Sequence, residues 1–281
     1  MKVRSGTYVN YCVNAYRTTH GGVIGTGNVG GIIGWVDNAS YFYVKGCANY
    51  ATVSSNGSDA VGGIVGRLYG PHSYVRNSVN HGQVTGTGKY MAGIIAKYGV
   101  DRNNNPLSNP RNGTVNSCCN KGNITGSADH VGGIVGYLEE GYPDGASGDA
   151  SKEGAVFDCY NSASISAKDA GGIVGFAEAK SNIYRNLNSG KIADGKGAGI
   201  IADGDFGFFH DDPQCYGNYY IDGSAEDGGE TGSNMSLGDA DDKSKFHSKW
   251  DFNAIWQINS GGLPTLRDCS FQNIAFTPES E

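Results

Sequence analysis

Apolar residues along this chain come in short bursts separated by Gly, Asn, Ser and Thr, and the bursts recur in a fixed order. Val29–Gly34 reads VGGIIG, Val61–Gly66 and Val131–Gly136 read VGGIVG, and Ala170–Gly175 reads AGGIVG. Met91–Ala96 (MAGIIA) and Gly197–Ala202 (GAGIIA) are looser copies. A second phrase precedes each of them: a β-branched residue, two variable positions, a small residue, one more variable position, then Asn. Its copies are Val9–Asn14, Val44–Asn49, Val75–Asn80, Val115–Asn120, Val156–Asn161 and Ile183–Asn188. Between the two phrases lies a third β-prone piece, as in Gln83-Val84-Thr85, Asn123-Ile124-Thr125 and Ser164-Ile165-Ser166.

The glycine before the Ile of each phrase falls at 31, 63, 93, 133, 172 and 199. A period of roughly 27–40 residues built from short strands and turns is the signature of a solenoid. One coil cannot bury its apolar side chains, whereas stacked coils share a continuous core. The expected fold is therefore all-β: a parallel β-solenoid of about six to seven three-strand coils with a C-terminal capping segment. Each VGGIVG is expected to form one strand, its apolar residues alternating inward and outward. The Asn column is expected to stack as a ladder at one corner. Residues 1–220 are assigned to the repeats and 221–281 to an acidic loop and cap. In the cap, Trp250, Phe252 and Trp256 are placed as a lid over the open end.

These phrases resemble those of the GLUG-motif family, named for a glycine-rich phrase of this type. The Trp256–Leu266 stretch is similar to the W-x-I-x-x-x-G-x-P-x-L ending common there. The resemblance implies a secreted or cell-wall protein of bacteria, often gut or mucosal Gram-positives, with an adhesin-like role. Such repeats also accompany a metallopeptidase that cleaves immunoglobulin A. That enzyme needs H-E-x-x-H, and none of the six histidines heads such a motif, so its activity is not carried over.

Composition narrows the partners. The net charge is -7 with only 17% charged residues, which speaks against nucleic acid or an anionic membrane surface. No apolar run is long enough to insert in a membrane. The start, MKVRSGTYVN, has no signal-type apolar stretch, and the repeats begin at once. The expectation is a fragment of a larger surface protein, secreted or displayed on a bacterial cell, with signal and anchor lying elsewhere. Seven cysteines without C-x-x-C spacing form neither a disulfide framework nor a zinc ribbon. Most share one template position and are read as small, buried and reduced.

Candidate chemistry is sparse. GGIVG lacks the G-x-x-x-x-G-K-[ST] pattern of a phosphate cradle. Asp203, Asp205, Asp211 and Asp212 match no EF-hand or fixed acid–base spacing, leaving calcium a weak candidate and no other cofactor. No catalytic residue is assigned. The best binding candidates are Tyr69, Tyr98, Arg102, Tyr137 and Tyr142, in or beside the insertions Arg67–Ser73, Lys97–Gly113 and Tyr137–Ala155. These all follow the glycine phrase and so fall on one edge. Three functions stay open: a non-enzymatic module binding a host glycoprotein, an immunoglobulin or a glycan; a carbohydrate-active enzyme on a β-helix; and a passive stalk.

Overall fold

A computed structural model describes residues 6–15, 22–37, 41–57, 59–70, 72–99, 113–139, 155–178, 181–193, 197–204, 215–225, 232–258 and 262–269. The chain is a parallel β-solenoid, every pairing between coils joining equivalent stretches of successive repeats. Each complete coil has five short strands, not three. In the second coil they are Tyr43–Lys45, Ala48–Asn49, Thr52–Ser55, Ala60–Gly62 and Val65–Tyr69. Stacking these positions gives a first to a fifth sheet of seven, eight, six, five and six strands. At about 4.8 Å per strand the seven-strand sheet is about 30 Å long.

The extra strands arise at two corners inside the phrases. The second-phrase strand breaks at a residue with left-handed backbone: Tyr11, Gly46, Asn77, Ser117, Asp158, Arg185 and Gly217, with φ between 50° and 66°. Five of these seven are not glycine, so the stack imposes a conformation that costs on the order of 1–2 kcal/mol at each of them. VGGIVG likewise turns between its two halves. Both apolar residues after the turn therefore point inward, and Ile64, Val65, Ile94, Ile95, Ile134, Val135, Ile173 and Val174 are all fully buried. The expected in–out alternation does not hold there.

The interior is ordered by columns. The first and fifth sheets enclose one apolar cluster, including Val44, Val75, Val115, Leu68 and Leu138. The third and fourth enclose another, including Val84, Ile124, Met91 and Val131. The Asn column is a buried amide ladder. Nδ2 of Asn49, Asn80, Asn120 and Asn161 each donates to Oδ1 of the Asn one coil on, at 2.8–2.9 Å. The second glycine of the first five phrases lies against this ladder, and a Cβ at Gly93 would sit 2.1 Å from Cγ of Asn120; in the sixth, Gly199 lies against Tyr220. All six copies keep this glycine, while the first becomes Ala at 92 and 198. In the cysteine column, Cys47, Cys118 and Cys159 are free and buried. Each Sγ donates weakly to a carbonyl of the preceding coil, at 3.5–3.6 Å.

The C-terminal segment only partly acts as a lid. Gly232–Met235 adds an eighth strand to the second sheet. Beyond it, the chain runs back along the outer face of that sheet as a strap. The outward column Val79, Cys119, Tyr160 and Leu187 packs against Phe246, Trp250, Trp256 and Leu266. The strap follows the ridge of left-handed corners. Trp250 Nε1 donates to the Gly217 carbonyl at 2.8 Å, Trp256 Nε1 to Asp158 Oδ1 at 3.2 Å, and Asn77 Nδ2 to Asp268 Oδ2 at 2.6 Å. Asp158 is fully buried and also takes a bidentate pair from Arg185 at 2.8 and 2.6 Å. The apolar outward column explains this placement: without the strap it would be a wet hydrophobic stripe.

Candidate functional site

The residue that follows each glycine phrase points outward from the fifth sheet. Successive coils put Trp35, Arg67, Lys97, Tyr137, Phe176 and Asp203 in direct register. Stacked parallel strands place such neighbours about 4.8 Å apart, so six unlike side chains form one continuous row. The residue preceding the phrase on the fourth sheet adds Tyr90 and His130, also in register. The Tyr90–Tyr137, His130–Tyr137, His130–Phe176 and Tyr137–Phe176 ring centroids lie 4.9–5.2 Å apart. Rows and flank make a single aromatic and charged strip across the first five coils.

Lys97 occupies the centre of the strip. Its Nζ lies 4.8, 5.0 and 5.3 Å from the ring centres of Tyr90, Tyr137 and Tyr69, and 3.0 Å from Glu139 Oε1. The Tyr69 hydroxyl donates to the same Oε1 at 2.5 Å. Glu139 reaches across the intervening coil because that coil has Gly99 there; a Cβ would fall 2.3 Å from its Oε2. The Tyr137 hydroxyl donates to Glu178 of the adjacent coil. Burial, with Glu139 beside it, pushes the Tyr69 hydroxyl up to about 12. Burial pulls the Lys97 ammonium down, but the hydrogen bond to Tyr69 and the Glu139 charge outweigh it and raise its pKa. Both groups stay protonated at neutral pH, and neither serves as a base there.

Arg67 differs from Lys97. It lies over the rings of Trp35 and Tyr69, at 5.6 and 4.1 Å, yet no carboxylate among the described residues pairs with it, and its buried Nε has no hydrogen-bond partner. Trp35 beside it is 53% exposed.

The anticipated residues fare unequally. Tyr69 and Tyr137 belong to the strip, although Tyr69 is a buried support with its hydroxyl satisfied. Tyr98 is no surface residue: it is 1% exposed, packs in the interior cluster, and donates to the Ser73 carbonyl at 2.6 Å. One step along a strand reverses the face, so Lys97 points out and Tyr98 in. Asp203 is exposed on the sixth coil and accepts from its neighbour's amide, Gly204 N, at 2.8 Å. Arg102, Tyr142, Asp205, Asp211 and Asp212 lie outside the described residues. Among the described residues no group of three or more His, Cys, Asp or Glu could hold a metal ion. The two large insertions leave from paired fifth-sheet strands, Ile95–Gly99 and Val135–Leu138, and re-enter at paired first-sheet strands, Thr114–Asn116 and Ala155–Phe157. Their anchors thus share the edge of the strip.

None of Trp35, Arg67, Lys97, Phe176, Tyr90, His130 and Glu139 is among the site residues expected from the sequence. The available signal was the column of residues immediately after the repeated phrase, where large aromatic and charged side chains stand in every copy.

No family model, no curated protein and no solved structure matches this chain.

Proposed function

We propose that the chain is a non-enzymatic binding module that recognises a glycan or glycoprotein through the fifth-sheet strip and the insertions anchored beside it. The carrying observation is the in-register row Trp35–Arg67–Lys97–Tyr137–Phe176, flanked by Tyr90 and His130. Aromatic side chains held in a rigid row give large contact area at low entropy cost, and tyrosine, tryptophan and arginine are the usual anchors of recognition. On the first sheet, Tyr8, Tyr43 and Tyr74 stack face to face, 4.7 and 5.3 Å apart. The protonated Tyr69 and Lys97 favour binding over acid–base chemistry. Membership of the GLUG-type repeat proteins, display on a bacterial surface and a host partner such as an immunoglobulin belong to the same proposal and rest on the repeated phrases.

The test is a glycan array together with binding to purified mucin and immunoglobulin, comparing the unaltered chain with Trp35→Ala and Tyr137→Ala. Binding that weakens at least about tenfold in both variants, as expected for interface anchors, supports the reading. Binding unaffected by either substitution removes the strip as the site. No binding to any of these probes leaves the stalk.

A further inference from the structure

We propose that Arg67 is the anchor for a carboxylate on the ligand, and that the ligand is an acidic glycan; this rests on the binding-module reading above. The fifth-sheet row holds two adjacent cations, and the fold treats them differently. Lys97 is neutralised by Glu139 at 3.0 Å. Arg67, one coil away in direct register, has no carboxylate partner among the described residues. Its Nε is buried without a hydrogen bond, although the residue as a whole is only partly buried.

A desolvated guanidinium N–H without an acceptor is costly, and the strip maintains that state with its own acids committed elsewhere. Glu139 is drawn over Gly99 toward Tyr69 and Lys97 rather than toward Arg67. The guanidinium is braced by the Tyr69 ring at 4.1 Å and the Trp35 ring at 5.6 Å, so its planar fork is fixed before any ligand arrives. A fixed fork suits bidentate recognition of a carboxylate.

The surroundings favour a sugar acid over an acidic peptide. Trp35 offers a half-exposed indole beside the fork, a surface for the apolar face of a saccharide ring. Further along the row, the carboxylates of Glu139 and Glu178, buttressed by tyrosines, are acceptors suited to ligand hydroxyls. A ring-braced guanidinium without a carboxylate partner, beside such acceptors, matches a polyhydroxyl ligand carrying a carboxylate.

Binding of sialyllactose and polygalacturonate is measured against lactose and carboxyl-reduced polygalacturonate, at low and high salt. At least one acidic ligand is expected to bind about tenfold or more tightly than its neutral counterpart. Arg67→Gln should abolish that preference, Arg67→Lys should restore it only in part, and the unfolding midpoints of both variants should stay at the wild-type value. Equal affinity for acidic and neutral saccharides, or a preference that survives Arg67→Gln, overturns the assignment. If neutral saccharides bind, and Trp35→Ala abolishes this while Arg67→Gln does not, the binding strip stands and the carboxylate anchor falls. If polyglutamate binds in place of both saccharides, the glycan is wrong. If none of these probes binds, the binding reading falls with it.

Discussion

Replacing Asn120 with Ala tests the claim that the amide ladder, rather than apolar burial alone, joins the coils. Asn120 is fully buried. Its Oδ1 accepts from Asn80 Nδ2 at 2.9 Å and from Gly122 N at 3.3 Å, and its Nδ2 donates to Asn161 Oδ1 at 2.9 Å. Truncation leaves three buried groups each one bond short. At about 1–1.5 kcal/mol for each, the loss is about 3–5 kcal/mol, a large share of ordinary domain stability. Asn14, at the first coil, is only part-buried and makes one such bond, Nδ2 to the Gly31 carbonyl at 2.9 Å. Asn14→Ala should therefore cost about 1 kcal/mol. Guanidinium unfolding followed by circular dichroism reads both, with the slopes compared to confirm that the same surface is exposed. If the two variants lose the same stability, or if Asn120→Ala loses less than about 1 kcal/mol, the ladder is not what holds the stack.

Trp256→Ala should cost about 3–5 kcal/mol, as for other buried aromatics, and should expose the 236–269 strap to limited proteolysis before the coils; uniform cleavage throughout would contradict a separate strap. Tyr98→Phe should cost about 1 kcal/mol through loss of the bond to the Ser73 carbonyl, and Tyr98→Ala several times more by calorimetry, with saccharide binding per folded molecule unchanged. In the folded chain Cys12 should react readily with a thiol reagent while Cys47, Cys118, Cys119 and Cys159 stay protected, since only Cys12 of these is exposed. Burial pushes the Cys47 thiol up to about 11 and raises Cys159 well above its usual value. The unfolded chain releases those protons near pH ~8.5, so stability present below that pH should decline as pH rises toward 11. Cys47→Ser should flatten the decline in urea midpoints, because Ser78 already fills the same column.

The stack was readable from sequence because its two internal partners are both sequence-visible: the Asn that forms the ladder and the glycine that makes room for it. The five-strand coil was not. Its corners fall at Tyr11, Gly46, Asn77, Ser117, Asp158, Arg185 and Gly217, a column with no common residue type, because neighbouring coils rather than local preference set the left-handed turn. The strip was half readable. Tyr69 and Tyr137 drew notice as tyrosines, whereas Arg67 and Lys97 look like ordinary surface charges until register aligns them. Tyr98 failed for the opposite reason: next to an insertion in sequence, it lies on the inward side of its strand. The tryptophans of the strap show in the sequence that they cover something apolar, not which surface that is.

The strap also alters how the molecule shares load. A stack of repeats normally behaves as a chain of nearest neighbours, each coil able to fray from its end. Here Trp250 touches the seventh coil, Trp256 the fifth and Asp268 the third. Coils that do not adjoin are thereby wired in parallel, and one cannot part from its neighbour without straining a brace that spans them all. The third to seventh coils become one cooperative block, while the first two, beyond the reach of the described strap, retain the independence of an ordinary end. The strip runs across that boundary: Trp35 and Arg67 stand on the two unbraced coils, and Lys97, Tyr137 and Phe176 on the braced block. A ligand that spans the row would do for the first two coils what the strap does for the rest.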